Sequence, residues 1–194
     1  MRRLLALVTT LAVLLAAPAL AGGPNHVVTA SPASDGQALH RSGVQVATTG
    51  ADTVDSTNLA RALPHDCTGC EGIAVAFQAV IATGDPSTAS PRNAAVAVNS
   101  NCTSCGAFAF AYQYYVTADG PTSLSDDGRA QVADIRARAD QLVDAGLPYP
   151  DLDARLQELG AEFKAAVAGD LQSHGEHPRD GQVEERTRTD GAAP

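Results

Sequence analysis

The chain has no tryptophan, only four phenylalanines, four tyrosines and one methionine in 194 residues. So few large side chains can fill a core in one place only. The aromatics bunch within residues 108–115, so the core is expected there. Lysine is nearly absent, with Lys164 the sole example. Thirteen basic residues face 22 acidic ones, a formal net charge of −9. A surface of that sign repels phosphate backbones and anionic lipid, which argues against nucleic-acid and lipid-surface binding. There is no H-E-x-x-H, no G-x-S-x-G, no P-loop and no dinucleotide fingerprint. The paired carboxylates Asp126-Asp127 and Glu184-Glu185 fall at a helix start and in a polar C-terminal stretch, and read as a cap and as solubility, not as an acid/base pair. No catalytic residue, cofactor-binding residue, metal ligand or cofactor is therefore assigned.

The first 21 residues follow the export pattern. Arg2 and Arg3 form a charged start, Leu4 to Ala17 is apolar apart from Thr9 and Thr10, and Ala19-Leu20-Ala21 is a small-x-small cleavage site. The apolar run is too short for a membrane span, so residues 1–21 are expected to be a signal peptide cut after Ala21. The mature chain would then have no membrane span, a secreted or extracytoplasmic location, and 11 basic against 22 acidic residues, a net −11.

Four cysteines occur as two C-x-x-C pairs, Cys67/Cys70 and Cys102/Cys105, offset by 35 residues. At that offset Asn58 meets Asn93, Thr68 meets Thr103, Ala74 meets Ala109, Gln78 meets Gln113 and Pro86 meets Pro121. The chain therefore contains a repeat, with units 52–88 and 87–123. In the second unit the large residues Phe108, Phe110, Tyr112 and Tyr114 alternate with Ala107, Ala109, Ala111 and Gln113. Ile73, Val75 and Phe77 alternate in the same way with Ala74, Ala76 and Gln78. This is the period of a strand with one large and one small face. The spacing of Ile73, Phe77, Val80 and Ile81 also fits a helix; β-branched and aromatic content favours strand. The small faces would let another layer approach, with Gln78 and Gln113 able to bond to each other. Asn93–Val98 alternates before its cysteines, so each unit is expected to be a β-hairpin with C-x-x-C at the turn.

From Ser125 the period becomes helical. Ser125 caps a helix over 125–145 with Val132, Ile135, Ala139 and Leu142 on one stripe, and Gly146 ends it. Pro148 and Pro150 make a corner, and a second helix over 151–172 carries Leu152, Leu156, Leu159, Phe163, Val167 and Leu171. The expected fold is α+β: two repeated hairpin units packed with an antiparallel C-terminal helix pair, in one domain over 44–172. Residues 22–43 read as a flexible lead-in, with Gln45–Thr48 a short strand, and residues 173–194 as a disordered tail.

The cysteines admit three readings. In an exported chain an even number reads first as structural disulfides, within each pair or between the copies. A within-pair bridge is favoured by proximity. A bridge between copies closes a longer loop and removes more unfolded-state entropy, about 3 kcal/mol or more. The second reading is thiol–disulfide exchange at Cys67/Cys70, aided by His65. It lacks a helix end or cation to hold a thiolate. The third is a four-cysteine zinc site, against which stand the 31 residues between the pairs. His174 and His177, His26 and His40 lie in the expected flexible ends and read as solvated. The Asn101-Cys102-Thr103 sequon overlaps the cysteines and is discounted.

The pieces Asp66-Cys-Thr-Gly-Cys70, Ala74-Val-Ala-Phe-Gln78, Asn93-Ala-Ala-Val-Ala-Val98, Asn101-Cys-Thr-Ser-Cys105 and Ala111-Tyr-Gln113 resemble a duplicated C-x-x-C module of actinobacterial exported proteins. A similar module follows the protease part of chains labelled peptide zinc metalloproteases. The resemblance implies no activity, since none is characterised for the module and the protease motif is absent here. The expectation is an exported, non-enzymatic structural or binding protein of the cell envelope or medium, with a protein or envelope partner. A thiol–disulfide oxidoreductase and a four-cysteine zinc module are the alternatives.

Overall fold

The computed structural model describes residues 23–120, 122–175 and 178–191. The expected signal peptide and its cleavage site after Ala21 lie outside these residues. Among the described residues seven strands and two helices follow in order: β1 (Asn25–Ala30), β2 (Ala38–Thr49), β3 (Thr53–Ala62), β4 (Glu71–Thr83), β5 (Thr88–Ala97), β6 (Gly106–Ala118), α1 (Asp126–Val143), α2 (Tyr149–Ser173) and β7 (Arg179–Asp190).

The repeated units are not hairpins. The two strands of each unit enter different sheets, and each pairs in parallel with its counterpart in the next unit. One sheet has the order β1-β3-β5, the other β2-β4-β6-β7. The chain therefore winds as a coil of three rungs, each rung one strand from either sheet. The C-x-x-C segments are arches from one sheet to the other. The fold is mostly β with a helix pair at its C-terminal end, which corrects the hairpin-based α+β expectation. The physical reason lies in burial. Nearly every residue of β4 and β6 is buried, on both faces. Strands covered on both sides form the interior of a layered parallel sheet, whereas a two-stranded hairpin would leave one face wet.

The alternation of large and small residues sets the layers. Ile73, Val75, Phe77, Phe108, Phe110, Tyr112 and Tyr114 face the helices and pack against Ile135, Leu152, Leu156, Leu159, Phe163 and Val167. Phe77 is the hub, its ring centroid 5.6 Å from Phe110 and 6.0 Å from Phe163. The aromatic row is core, and burying each such ring contributes about 1.5–3 kcal/mol. On the other face Ala74, Ala76, Ala107, Ala109 and Ala111 meet Ala60, Ala62 and Ala97 of the first sheet. The order of layers is helix pair, large sheet, small sheet, solvent.

Both ends of the domain differ from expectation. Residues 22–43, read as a flexible lead-in, contain β1 and the start of β2, which form the first rung: Asn25 lies beside Thr57 and Ala38 beside Glu71. Within the tail expected over 173–194, Arg179–Asp190 form β7, antiparallel to β6 with Phe110 opposite Thr187 and Gln113 opposite Glu184. Polar sequence is compatible with this because β7 is an edge strand, and charge on an edge discourages further pairing.

The helices are held by two specific contacts. Ser125 caps α1, its hydroxyl accepting from Gly128 N–H at 3.0 Å. Asp170 of α2 is buried beneath that cap and accepts from the backbone N–H of Ser125 at 3.0 Å and from its hydroxyl. Burial alone would raise the Asp170 pKa, but the Ser125 donors, with His174 and Gly128, hold it below the usual carboxylate value. In α2, Gly160 lets the helix rest on the Tyr112 ring.

Two outcomes follow. Gly160→Ala should gain about 1 kcal/mol of helix propensity, yet its Cβ would sit 2.6 Å from a Tyr112 ring carbon. A net loss of about 1–3 kcal/mol is expected in denaturant unfolding; an equal or higher midpoint would show that the ring yields. Because the folded Asp170 pKa is depressed, its stabilisation is present above the unfolded value of about 3.9 and fades as pH falls through the folded value. Asp170→Asn should therefore narrow the gap between urea midpoints at pH 7 and pH 3. An unchanged gap would remove Asp170 from the acid response.

Candidate functional site

Two stacked arches, residues 63–70 and 98–105, bring all four cysteines to one corner of the coil. They repeat the same turn. Asp66 and Asn101 both have φ of 52°, and Gly69 and Ser104 have φ of 65° and 54°. Each C-x-x-C thus places a left-handed residue just before its second cysteine, at no steric cost for Gly69 and at some cost for Ser104. Backbone bonds fix the register: Asp66 N–H to Ser100 O at 3.0 Å, Gly69 N–H to Thr103 O at 2.8 Å, and Thr103 N–H to Cys67 O at 3.1 Å. Asn101 Nδ2 adds a bond to Asp66 Oδ1 at 3.0 Å. The first rung supplies a third arch without cysteine. Its Pro32 O accepts from His65 N–H, its Gly36 N–H donates to Thr68 O, and its Asp35 accepts from Thr68 N–H.

Within this corner Cys67 and Cys70 form a disulfide. Cys102 and Cys105 carry none. No bridge joins the copies. Yet the Cys67 sulfur lies 3.7 Å from that of Cys102 and 3.8 Å from that of Cys105. Cys70 N–H donates to Cys105 Sγ at 3.3 Å. Cys67, Cys70 and Cys105 are buried and Cys102 is half-buried. Loss of hydration, followed by the bond with Cys105, raises the Cys102 thiol pKa. His65, two residues before Cys67, bridges Ser100 through its backbone, while its Nδ1 is buried without a hydrogen-bond partner.

A second set of repeated side chains runs between the sheets. Gln78 Nε2 donates to Gln45 Oε1 and Gln113 Nε2 to Gln78 Oε1, both at 2.8 Å, an amide ladder through all three rungs. Asn58 Nδ2 lies 2.9 Å from Asn93 Oδ1 and 3.0 Å from the carbonyls of Ala76 and Tyr112. Asn93 in turn donates to Ala111 O at 2.9 Å and to Glu184 O of β7 at 2.7 Å. These repeated amides are structural: each reaches from one sheet to a carbonyl of the other, or to its counterpart in the next rung.

The histidines divide. His40, expected to be solvated, lies between two carboxylates, with Nε2 3.0 Å from Glu71 and Nδ1 3.0 Å from Asp144. Tyr149 donates to the same Glu71 at 3.2 Å, and burial, then Glu71, raises its pKa well above the tyrosine range. Nothing in the local sequence marks this group, because its members lie in β2, β4 and the helix corner. His26 sits against Gly43, and its pKa is lowered by burial. His174 ends α2 and bonds Asp170 O; His177 lies outside the described residues. Glu184 and Glu185 belong to β7, not to a loose tail. A cleft of about 620 Å³ opens near the helix corner, lined by Phe108, Tyr149, Asp153 and Thr187; no cysteine or histidine lines it.

No family model, no curated protein and no solved structure matches the chain.

The ladder makes a prediction. Asn58→Ala leaves the Ala76 and Tyr112 carbonyls of the large sheet without this donor and should cost about 1–3 kcal/mol. Combined with Asn93→Ala, the losses should be non-additive, with a coupling of about 0.5–3 kcal/mol in a double-mutant cycle. Additive losses would mean that the two amides act separately.

Proposed function

We propose that the chain is an exported, non-enzymatic module, a short β-coil whose cysteine corner is structural, and that it serves a binding or scaffolding role in the cell envelope or the surrounding medium. The observation that carries this reading is the setting of the sulfurs. They face one another and the backbone of the stacked arches, and the arches lead into strands β4 and β6. A redox thiol instead needs a helix N-terminus or a cation to hold its thiolate, together with access to substrate. The export signal and the resemblance to actinobacterial exported modules belong to the same proposal, as does a protein or envelope partner for the acidic mature chain. The zinc protease label of the longer chains is left aside, because its catalytic motif is missing.

One observation favours the oxidoreductase reading: two thiols lie in contact with the disulfide sulfur of Cys67. The two readings separate in one preparation. The protein secreted from an exporting host should begin at Gly22, carry one bridge and two alkylatable thiols, and fail to turn over a test disulfide. Cys67→Ser should lower the unfolding midpoint and the secreted yield. Catalytic turnover that vanishes in Cys67→Ser would sink the structural reading, and a chain that retains Met1 would sink export.

A further inference from the structure

We propose that the four-cysteine corner, with Cys67, Cys70, Cys102 and Cys105 all as thiolates, is a closed binding site for one divalent cation of the zinc class. This goes beyond the structural reading and does not depend on it.

The objection raised by sequence was distance, since 31 residues separate the two pairs. The coil removes it. The offset of 35 residues is one full rung, so the second arch lies directly on the first, with Thr68 paired to Thr103 and Gly106 N–H bonded to Cys70 O at 2.9 Å. Two C-x-x-C turns of the same conformation thus lie one above the other on adjacent rungs. Cys67, Cys102 and Cys105 have their sulfurs within 4.8 Å of one another. Cys70 is the fourth, tethered to Cys67 in the bridged state.

The spacing suits the ion. A tetrahedral centre with Zn–S bonds of about 2.3 Å sets its sulfurs about 3.8 Å apart. The Cys67 sulfur already lies 3.7 and 3.8 Å from those of Cys102 and Cys105. Opening the Cys67–Cys70 bond lets the fourth sulfur move to the same separation, within its own arch. The Cys70 N–H directed at Cys105 Sγ would support thiolate charge as an outer partner does. Four sulfur ligands select zinc, cadmium or cobalt over magnesium or calcium, which take oxygen. With four protein ligands no position is left open, so the site would be structural: it ties rung to rung, as the bridge in one arch does not.

No electron donor is needed for the newly made chain, whose cysteines are thiols. Each loses its proton to solvent as it meets the cation, and four thiolates around a divalent ion leave a net charge of −2. The metal and the Cys67–Cys70 bridge are then competing fates of one corner. For purified protein a phosphine reductant restores the four-thiol state, splitting the bridge into two thiols with water while the phosphine becomes its oxide.

The test uses the whole mature chain, reduced with a phosphine without oxygen and titrated with cobalt(II). One cobalt per chain is expected, with sulfur-to-cobalt charge-transfer absorption and the visible bands of a tetrahedral centre, displaced by one equivalent of zinc. Cys102→Ser and Cys105→Ser, checked for folding by circular dichroism, should each weaken binding at least by the roughly 10–100-fold seen when an outer partner is lost. Absence of tetrahedral bands in the wild-type chain would overturn the site whether or not any variant folds. So would full-strength binding in both folded variants, which would confine the ion to one arch. Failure of this test leaves the structural role standing, whereas disulfide turnover would remove that role and leave the cobalt result unaffected.

Discussion

Between the two sheets the gap is lined largely by alanine, widening to Val54, Val80 and Tyr115 at one end, and the fold depends on how polar groups are admitted to that gap. Asn58, Asn93, Gln78 and Gln113 are among the few polar side chains buried in the molecule. The side-chain N–H of each donates to an amide or carbonyl in the next rung or the opposite sheet. An amide buried without such a match costs about 1–3 kcal/mol. A strand that slipped by one residue would turn its amide to the helix face and its aromatic into the alanine gap. The ladders therefore fix the register of the parallel pairs, and the large faces then have one way to meet the helices.

That register is what assembles the corner. Parallel strands in step carry their arches in step, so residues one rung apart in sequence become neighbours in space. The cysteines and the left-handed residues at Gly69 and Ser104 repeat because the winding repeats, and the Asp66–Asn101 bond joins one copy to the other. The helix pair, joined to the coil through the Phe77 and Phe163 rings and through the Tyr149–Glu71–His40 group, covers the wide face and anchors the residue that directly follows Cys70.

Much of this architecture is legible in the amino-acid order alone. The two-residue alternation in 107–116 points to a strand with a large and a small face. Ser125 and Gly146 bracket the first helix to within a few residues, and the Gln78–Gln113 pairing follows from the offset. Other features are not legible, each for a physical reason. Alternation is the same in a hairpin and in a coil, so it does not reveal which strand is the partner. The first rung meets the second at offsets of 32 and 33 residues and lacks cysteines, which hides it from an alignment at 35; only Gln45 marks it. The last strand is rich in charge and shows no apolar face, because it is held by an edge and not by a core. His40 joins a site only through strands distant in sequence.

The winding also sets how such a protein can change length. A further unit of 35 residues spliced in at the arches would meet the same ladders above and below it and lengthen the stack by one strand spacing, about 4.8 Å. Growth of this kind adds two thiols to the same corner each time, so the column of sulfur would count the copies of the gene segment that made it.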